Sequence, residues 1–274
     1  MFYHIPPTTR RAFTLVELLV VIAIIAIIAA LAFPALSRMR TSASAAKVTS
    51  NLHQVGVALT SYASDNGMRL PASGTTSGDS PVGYGLQPST HTWVRLLAPN
   101  HKGTGAYNDP GTRLGAHLAP YVGVTGAPNT EKPIEILSDP AWEAEVKKNG
   151  GPTGIYWSAP TFVLRPVIRR AANPGLSEDL YPFGKDGQST TALRLASSYA
   201  AVTSLIPPGR TWAIIQADRE LIKDSKGEIS SGMVHEKAPT KPVLGNARVA
   251  LMFDWSVQRI PVGTDLGKSY PAEN

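Results

Sequence analysis

The sequence predicts an α+β protein, with one long N-terminal helix packed on a small antiparallel sheet and long loops between elements. Three observations predict it. Residues 18–35 carry no charged or hydrogen-bonding side chain and form one apolar helix-forming run. Val48, Leu52, Val55, Leu59 and Tyr62 then recur at spacings of four and three, which is one face of an amphipathic helix. Far downstream, TWAIIQA (211–217) and RVALMFD (248–254) read as central strands.

The helix is predicted from Phe13 to about Ser64, half of it apolar all round and half amphipathic. At about 1.5 Å of rise per residue, roughly 20 apolar residues cross a bilayer core, so the first half is long enough to span. Glu17 lies near the start of that run. A carboxylate at the centre of a span costs roughly 2.5 kcal/mol or more, and less near an interface. Glu17 therefore requires either a positive charge supplied on assembly or a place at headgroup level, where water solvates it. Pro34 lacks the helical N–H and clashes with the carbonyl of Ala30, which predicts a kink or a local opening. A membrane proline tolerated without function is the plain alternative. Asp65-Asn66-Gly67 ends the helix, with Gly67 as left-handed cap and Pro71 soon after.

Residues 72–91 are rich in Gly, Ser, Thr and Pro, hence loop. Residues 93–97 (WVRLL) read as a short helix, 101–113 as loop, and 114–122 as a short helix interrupted by Pro120. Ser138-Asp139-Pro140 before AWEAEVKKNGG supplies a cap, a first-turn proline, early acids, late lysines and closing glycines. Residues 155–168 are apolar enough for strands, but their prolines restrict them to edges or bends. Residues 257–260 complete the strands.

With 274 residues, the chain holds one ordinary domain plus the anchor. Its net charge is +6, with acids and bases interspersed. RPVIRR (165–170) is the densest basic cluster and reads as a solvated face. No basic stripe with stacking aromatics points to nucleic acid. There is no cysteine, so neither disulfides nor zinc–thiolate sites are available. The 24 glycines and 23 prolines predict many turns. The six histidines form no metal-binding pair at helical spacing, and the chain has neither Gly-x-Ser-x-Gly nor a phosphate-binding glycine loop. The expectation is that the protein is not an enzyme and needs no cofactor. Asp218, Glu220 and Asp224 are spaced closely enough for a calcium loop but lack its glycine and terminal Glu. They are the candidate metal ligands, with ordinary surface acids as the alternative.

AFTLVELL (12–19) followed by an apolar helix resembles the type IV prepilin signature, shared by type IV pilins and type II secretion pseudopilins. The resemblance implies peptidase cleavage between Ala12 and Phe13 and N-methylation of Phe13. Ala12 stands where the family usually has Gly. Glu17 becomes the fifth mature residue, implied to pair with the Phe13 ammonium of a neighbouring subunit, and Pro34 the twenty-second. The implied organisation is a leader at 1–12, a transmembrane helix at 13–36, a periplasmic amphipathic helix at 37–67 and a pilin-like extracytoplasmic domain at 68–274. Loss of the leader leaves the mature chain at about +4, since Arg10 and Arg11 go with it.

NLHQVGVALTSYASDNGMRLP (51–71) resembles a segment of pseudopilin-like proteins. PVLGNARVALMFDWSV (242–257) resembles their C-terminal H-x9-DG region in degenerate form. Asp254 matches the family Asp. Leu244 stands where the family has His, Trp255 replaces the Gly, and Ser256 stands where His is frequent. A turn-capping role for Asp254 is the favoured reading. Major pseudopilins bind calcium near the C-terminus, which is why residues 218–224 are named.

The resemblance implies a structural subunit, held in the inner membrane by a single span with its C-terminal bulk periplasmic, and polymerised into a pseudopilus or pilus-like filament. Its partners would be prepilin peptidase, other pseudopilins and itself, the inner-membrane assembly platform and the lipid bilayer, with no nucleic acid. Three alternatives stay open. A secretory signal peptide cut after Ala30-Leu31-Ala32 would release a soluble protein. A minor pilin could display residues 72–200 as an adhesive surface, marked by exposed Trp93, Trp142, Trp157 and Trp212. A membrane-tethered enzyme could borrow the leader.

Overall fold

The computed structural model describes residues 14–77, 80–84, 89–90, 93–97, 113–151, 161–168, 180–184, 198–225, 229 and 234–266. The α+β class holds. The chain divides into two compact units, Met1–Ala43 and Ser44–Asn274.

Helix α1 (Leu15–Asp65) is unbroken over 51 residues, its assignment running through Pro34. In the first unit, the large apolar side chains from Leu15 to Leu31 are exposed. In the second unit, the predicted stripe is the core: Val48, Leu52, Val55 and Leu59 are fully buried, and Tyr62 is half-buried against them. The helix closes as its sequence predicts. Gly67 has φ of 63°, and the Met68 N–H donates to the Ala63 carbonyl at 2.7 Å, six residues closing on one as in a Schellman cap.

A five-stranded antiparallel sheet has the order β3-β6-β7-β8-β9. Its strands are β3 (Ser89–Thr90), β6 (Phe162–Leu164), β7 (Trp212–Gln216), β8 (Ala247–Met252) and β9 (Val257–Pro261). As predicted, 211–217 and 248–254 supply the central pair, with Ile214 opposite Leu251 and Ile215 opposite Ala250. The alternation of side chains sorts them onto two faces. Phe162, Leu164, Ile214, Val249 and Leu251 join the stripe of α1. Val163, Ile215, Ala250 and Met252 pack instead with Trp142 and Val146 of helix α3 (Pro140–Lys148). Both faces are covered, so β7 and β8 read as continuous apolar runs rather than alternating ones.

Helix α3 begins as its sequence predicts, Asp139 accepting from the N–H groups of Ala141 (3.1 Å) and Trp142 (3.2 Å), with Pro140 in the first turn. Helix α2 (Leu114–Leu118) passes into a 3-10 turn at Ala119–Val122, the predicted interruption at Pro120. Two short helices, α4 (Tyr199–Leu205) and α5 (Leu221–Asp224), were not predicted.

Two readings are corrected. Residues 73–84 are a hairpin, β1 (Ser73–Ser77) on β2 (Ser80–Tyr84), where composition predicts loop. Trp93–Arg95 is strand β4, paired with β5 (Glu131–Pro133), where a short helix is predicted. Both elements rest on backbone pairing, and β4's partner lies more than thirty residues away, beyond the reach of local periodicity. The loop at 101–112 and the strand expected at 155–160 lie outside the described residues.

At Gly56, α1 comes close to the β8–β9 hairpin. A Cβ there would stand 3.2 Å from Trp255 Cβ and 3.3 Å from Leu251 Cδ1. Gly56→Leu must push the helix off the β8–β9 hairpin, and overpacking of this kind costs about 1–3 kcal/mol. A clear drop in the thermal midpoint of the detergent-solubilised chain is expected; an unchanged midpoint would show that the gap yields.

Candidate functional site

At the start of α1 the sequence reads Thr14-Leu15-Val16-Glu17. The Glu17 carboxylate accepts from the Thr14 N–H and from the Thr14 hydroxyl, both at 2.8 Å, and the Glu17 N–H donates back to Thr14 Oγ1 at 3.2 Å. This is a reciprocal capping box, the T-x-x-E spacing at a helix N-terminus. Glu17 therefore has partners three residues away in its own chain. The spacing was legible in the sequence, yet reading Glu17 only as an unpaired membrane charge passes over it. Ala12 and Phe13 lie outside the described residues. Nothing is described of the Pro34 side chain.

The candidate metal ligands are engaged otherwise. Arg248, wholly buried, donates through Nε to Asp218 Oδ2 and through Nη2 to Asp218 Oδ1 (2.9 Å), while Nη1 reaches Asp224 Oδ2 at 2.6 Å. Asp218 Oδ1 also accepts from the Leu221 N–H (3.0 Å), and Asp224 Oδ2 from the Gly263 N–H (3.1 Å). A guanidinium thus occupies the position between these two carboxylates, where the calcium reading places the ion. Burial would lower the Arg248 pKa, but the bonds and charges of Asp218 and Asp224 outweigh it and raise the pKa. Burial raises that of Asp218, against the opposing pull of Arg248. Among the described residues, no three His, Cys, Asp or Glu side chains gather as metal ligands.

Asp254 does what its turn reading predicts. Its Oδ1 accepts from the Ser256 N–H (2.9 Å) and hydroxyl (2.6 Å) in the β8–β9 connection. Trp255, in the place of the family's glycine, has φ of 65°. A left-handed non-glycine residue costs on the order of 1–3 kcal/mol. The Trp255 ring stacks on Tyr199 at 5.1 Å between centroids and 12° between planes, and the Tyr199 hydroxyl donates to the Phe253 carbonyl. An aromatic pair contributes about 0.5–1.5 kcal/mol beyond burial, which offsets much of that cost. Leu244, in the place of the family's histidine, packs on the core.

A second buried polar group ties three elements together. Asp139 also accepts from Gln216 Nε2 of β7 and from the Ser44 hydroxyl of α1 (3.4 Å). Asn51 of α1 donates to the carbonyls of Glu135 (3.1 Å) and Ser138 (2.9 Å) just ahead of α3. Burial raises the Asp139 pKa from its ordinary value, against the hydrogen bonds it accepts.

Residues 8–33 match the family model described as the prokaryotic N-terminal methylation motif. The chain carries a type IV pilin-like N-terminal signature. No curated protein and no solved structure matches the chain. Together, the signature and the 18-residue apolar segment Leu15–Ala32 fit a membrane-anchored, single-pass protein.

Two further expectations meet the structure here. Trp142 and Trp212 are core residues, 1% and 2% exposed, and so form no adhesive patch. The side chains of Trp93 and Trp157 lie outside the described residues. Arg165, read as part of a solvated basic face, is 2% exposed and covers the Trp212 ring. Arg169 and Arg170 lie outside the described residues.

Arg248→Met removes the cation between two carboxylates and leaves Asp218 buried without its partner. Breaking a buried pair in this way costs about 3–5 kcal/mol, to be read from urea unfolding of the full chain. A loss below 1 kcal/mol would show that water reaches the pair. Asp139 gives a pH signature. Its folded pKa is raised, so the folded state binds the extra proton, and stability grows as pH falls through that raised value towards the ordinary one. Asp139→Asn, neutral throughout, is expected to shrink the gain in urea midpoint between pH 7 and pH 5. An equal gain in both proteins would assign the effect elsewhere.

Proposed function

We propose that the protein is a structural subunit of a pilin-like filament, of the type II secretion pseudopilus kind, rather than an enzyme. The observation that carries the reading is the methylation motif on a helix whose apolar side chains are exposed over its whole spanning length. Such a surface requires lipid or other helices around it. In this reading the peptidase cuts between Ala12 and Phe13 and methylates Phe13. The span stores the subunit in the inner membrane with its domain on the periplasmic side, and the assembly platform passes it into a helix bundle. There the Glu17 carboxylate meets the Phe13 ammonium of a neighbour. Exchange of lipid contacts for helix contacts supplies packing, and the ion pair sets register, since stranding either charge in an apolar bundle is costly.

The mass of the mature N-terminal peptide tests this directly. Co-expression with prepilin peptidase is expected to yield a peptide beginning at methylated Phe13, and omission of the peptidase an uncut chain. Glu17→Ala is then expected to leave membrane insertion intact and abolish cross-linking into filaments. An N-terminus just after Ala32, or one left uncut beside active peptidase, would overturn the filament reading.

A further inference from the structure

A cleft of about 260 Å³ opens beside β9, at one edge of the five-stranded sheet. Its lining combines the apolar Ile260 and Pro261 with three arginines, Arg165, Arg210 and Arg259, and with Asp265, while the buried Trp212 lies beneath Arg165. Arg165 is held in place from several sides. Its guanidinium lies 4.9 Å from the Trp212 ring centroid, Nε donates to the Val167 carbonyl (3.2 Å), and Nη1 donates to the Leu266 carbonyl (3.3 Å). Trp212 Nε1 donates to that same carbonyl at 3.3 Å, so ring and cation form one fixed wall. Arg210 and Arg259 are exposed.

However these groups pair among themselves, three cations and one anion leave the described lining net positive. An apolar-walled recess concentrates that field more than open surface does. The planar fork of arginine fits a carboxylate with two parallel hydrogen bonds. The apolar part of the lining fits an apolar body and would leave the outward oxygens of a phosphate or sulfate unpaired, at a desolvation cost. The volume lies below the roughly 300 Å³ at which drug-sized pockets begin, so the occupant has the size of one side chain or a small acid.

We propose that this cleft binds a carboxylate carried on an apolar body, with the charge towards Arg210 and Arg259 and the body against Ile260 and Pro261. That chemistry has two sources, the carboxyl-terminal end of a peptide and a free organic acid. The proposal is independent of filament assembly and stands or falls without it.

The test is calorimetric titration of the full-length protein in detergent micelles. The probes are 3-phenylpropionate, acetyl-Gly-Gly-Phe with a free carboxylate, and inorganic phosphate, with 3-phenylpropionamide as the neutral control for partition into micelles. Saturable binding of a carboxylate probe is expected, with the amide and phosphate at least tenfold weaker. Tighter binding of the tripeptide assigns the site to peptides, and equal or tighter binding of 3-phenylpropionate assigns it to free acids. The double variant Arg210→Gln/Arg259→Gln, changed only at exposed positions, is expected to keep its thermal midpoint and lose at least tenfold in affinity. Lys241→Gln, which removes one positive charge outside the cleft, is expected to bind as before. Absent saturation with both carboxylates, equal binding of the amide or phosphate, or undiminished binding by the double variant would each overturn the proposal.

Discussion

The stripe Val48, Leu52, Val55 and Leu59 is the contact on which the folded domain depends. These four side chains are wholly buried and meet the strand residues that form the nearer half of the core. They sit on the same unbroken helix whose earlier turns, from Leu18 to Leu31, expose large apolar side chains. A lone amphipathic helix gains little from propensity, so the C-terminal half of α1 is stable because the sheet covers it. The N-terminal half has no such cover in its own unit and takes its surroundings from lipid or from other helices. One helix therefore satisfies two different solvents, and the change from apolar-all-round to one-sided patterning between residues 36 and 48 marks where one gives way to the other.

Apolar contact alone does not fix how a helix is rotated and slid against a sheet. Here directional bonds do. Asn51 holds two carbonyls ahead of α3, and Asp139 joins the start of α3 to β7 and to Ser44 of α1. On the other side of the domain, Arg248 ties β8 to both ends of the segment that contains α5. Without cysteine, a chain this rich in glycine and proline has no covalent staple across its loops, and buried polar groups with satisfied partners take over that constraint. Their partners are carboxylates and carbonyls far away in sequence, so each bond closes a long loop.

That separation also decides what was legible in the sequence. The stripe of α1, the Gly67 cap, the Asp139-Pro140 helix start and the two central strands were readable because each signal repeats or closes within a few residues. The hairpin at 73–84 and strand β4 were not, since they are defined by partners rather than by their own composition. Arg165 and Arg248 show the same limit for charge. A run of arginines reads as surface from composition, and only the fold shows an indole under one and two carboxylates around the other. Asp218 and Asp224 were singled out as candidate calcium ligands. The cation that answers them is a side chain 24 to 30 residues further on. At Trp255 the left-handed backbone has a physical account: the stack on Tyr199 compensates a conformation that glycine would adopt freely.

The capping box changes how the carboxylate at the head of the span is understood. An unpartnered carboxylate in an apolar helix would be stable only after assembly, and storage in the membrane would strain every waiting subunit. Thr14 donates two hydrogen bonds to the Glu17 carboxylate and accepts one from the Glu17 N–H, so the backbone N–H groups of both residues, which a bare N-terminus would leave unsatisfied, find partners. The cost of keeping the charge near the membrane surface falls, and the helix end gains its cap. A neighbour's ammonium in the filament reading then adds to a carboxylate already fixed in direction, instead of capturing a mobile one. In the filament reading, local capping and intersubunit pairing are successive uses of one side chain, the only charge in the apolar segment Leu15–Ala32.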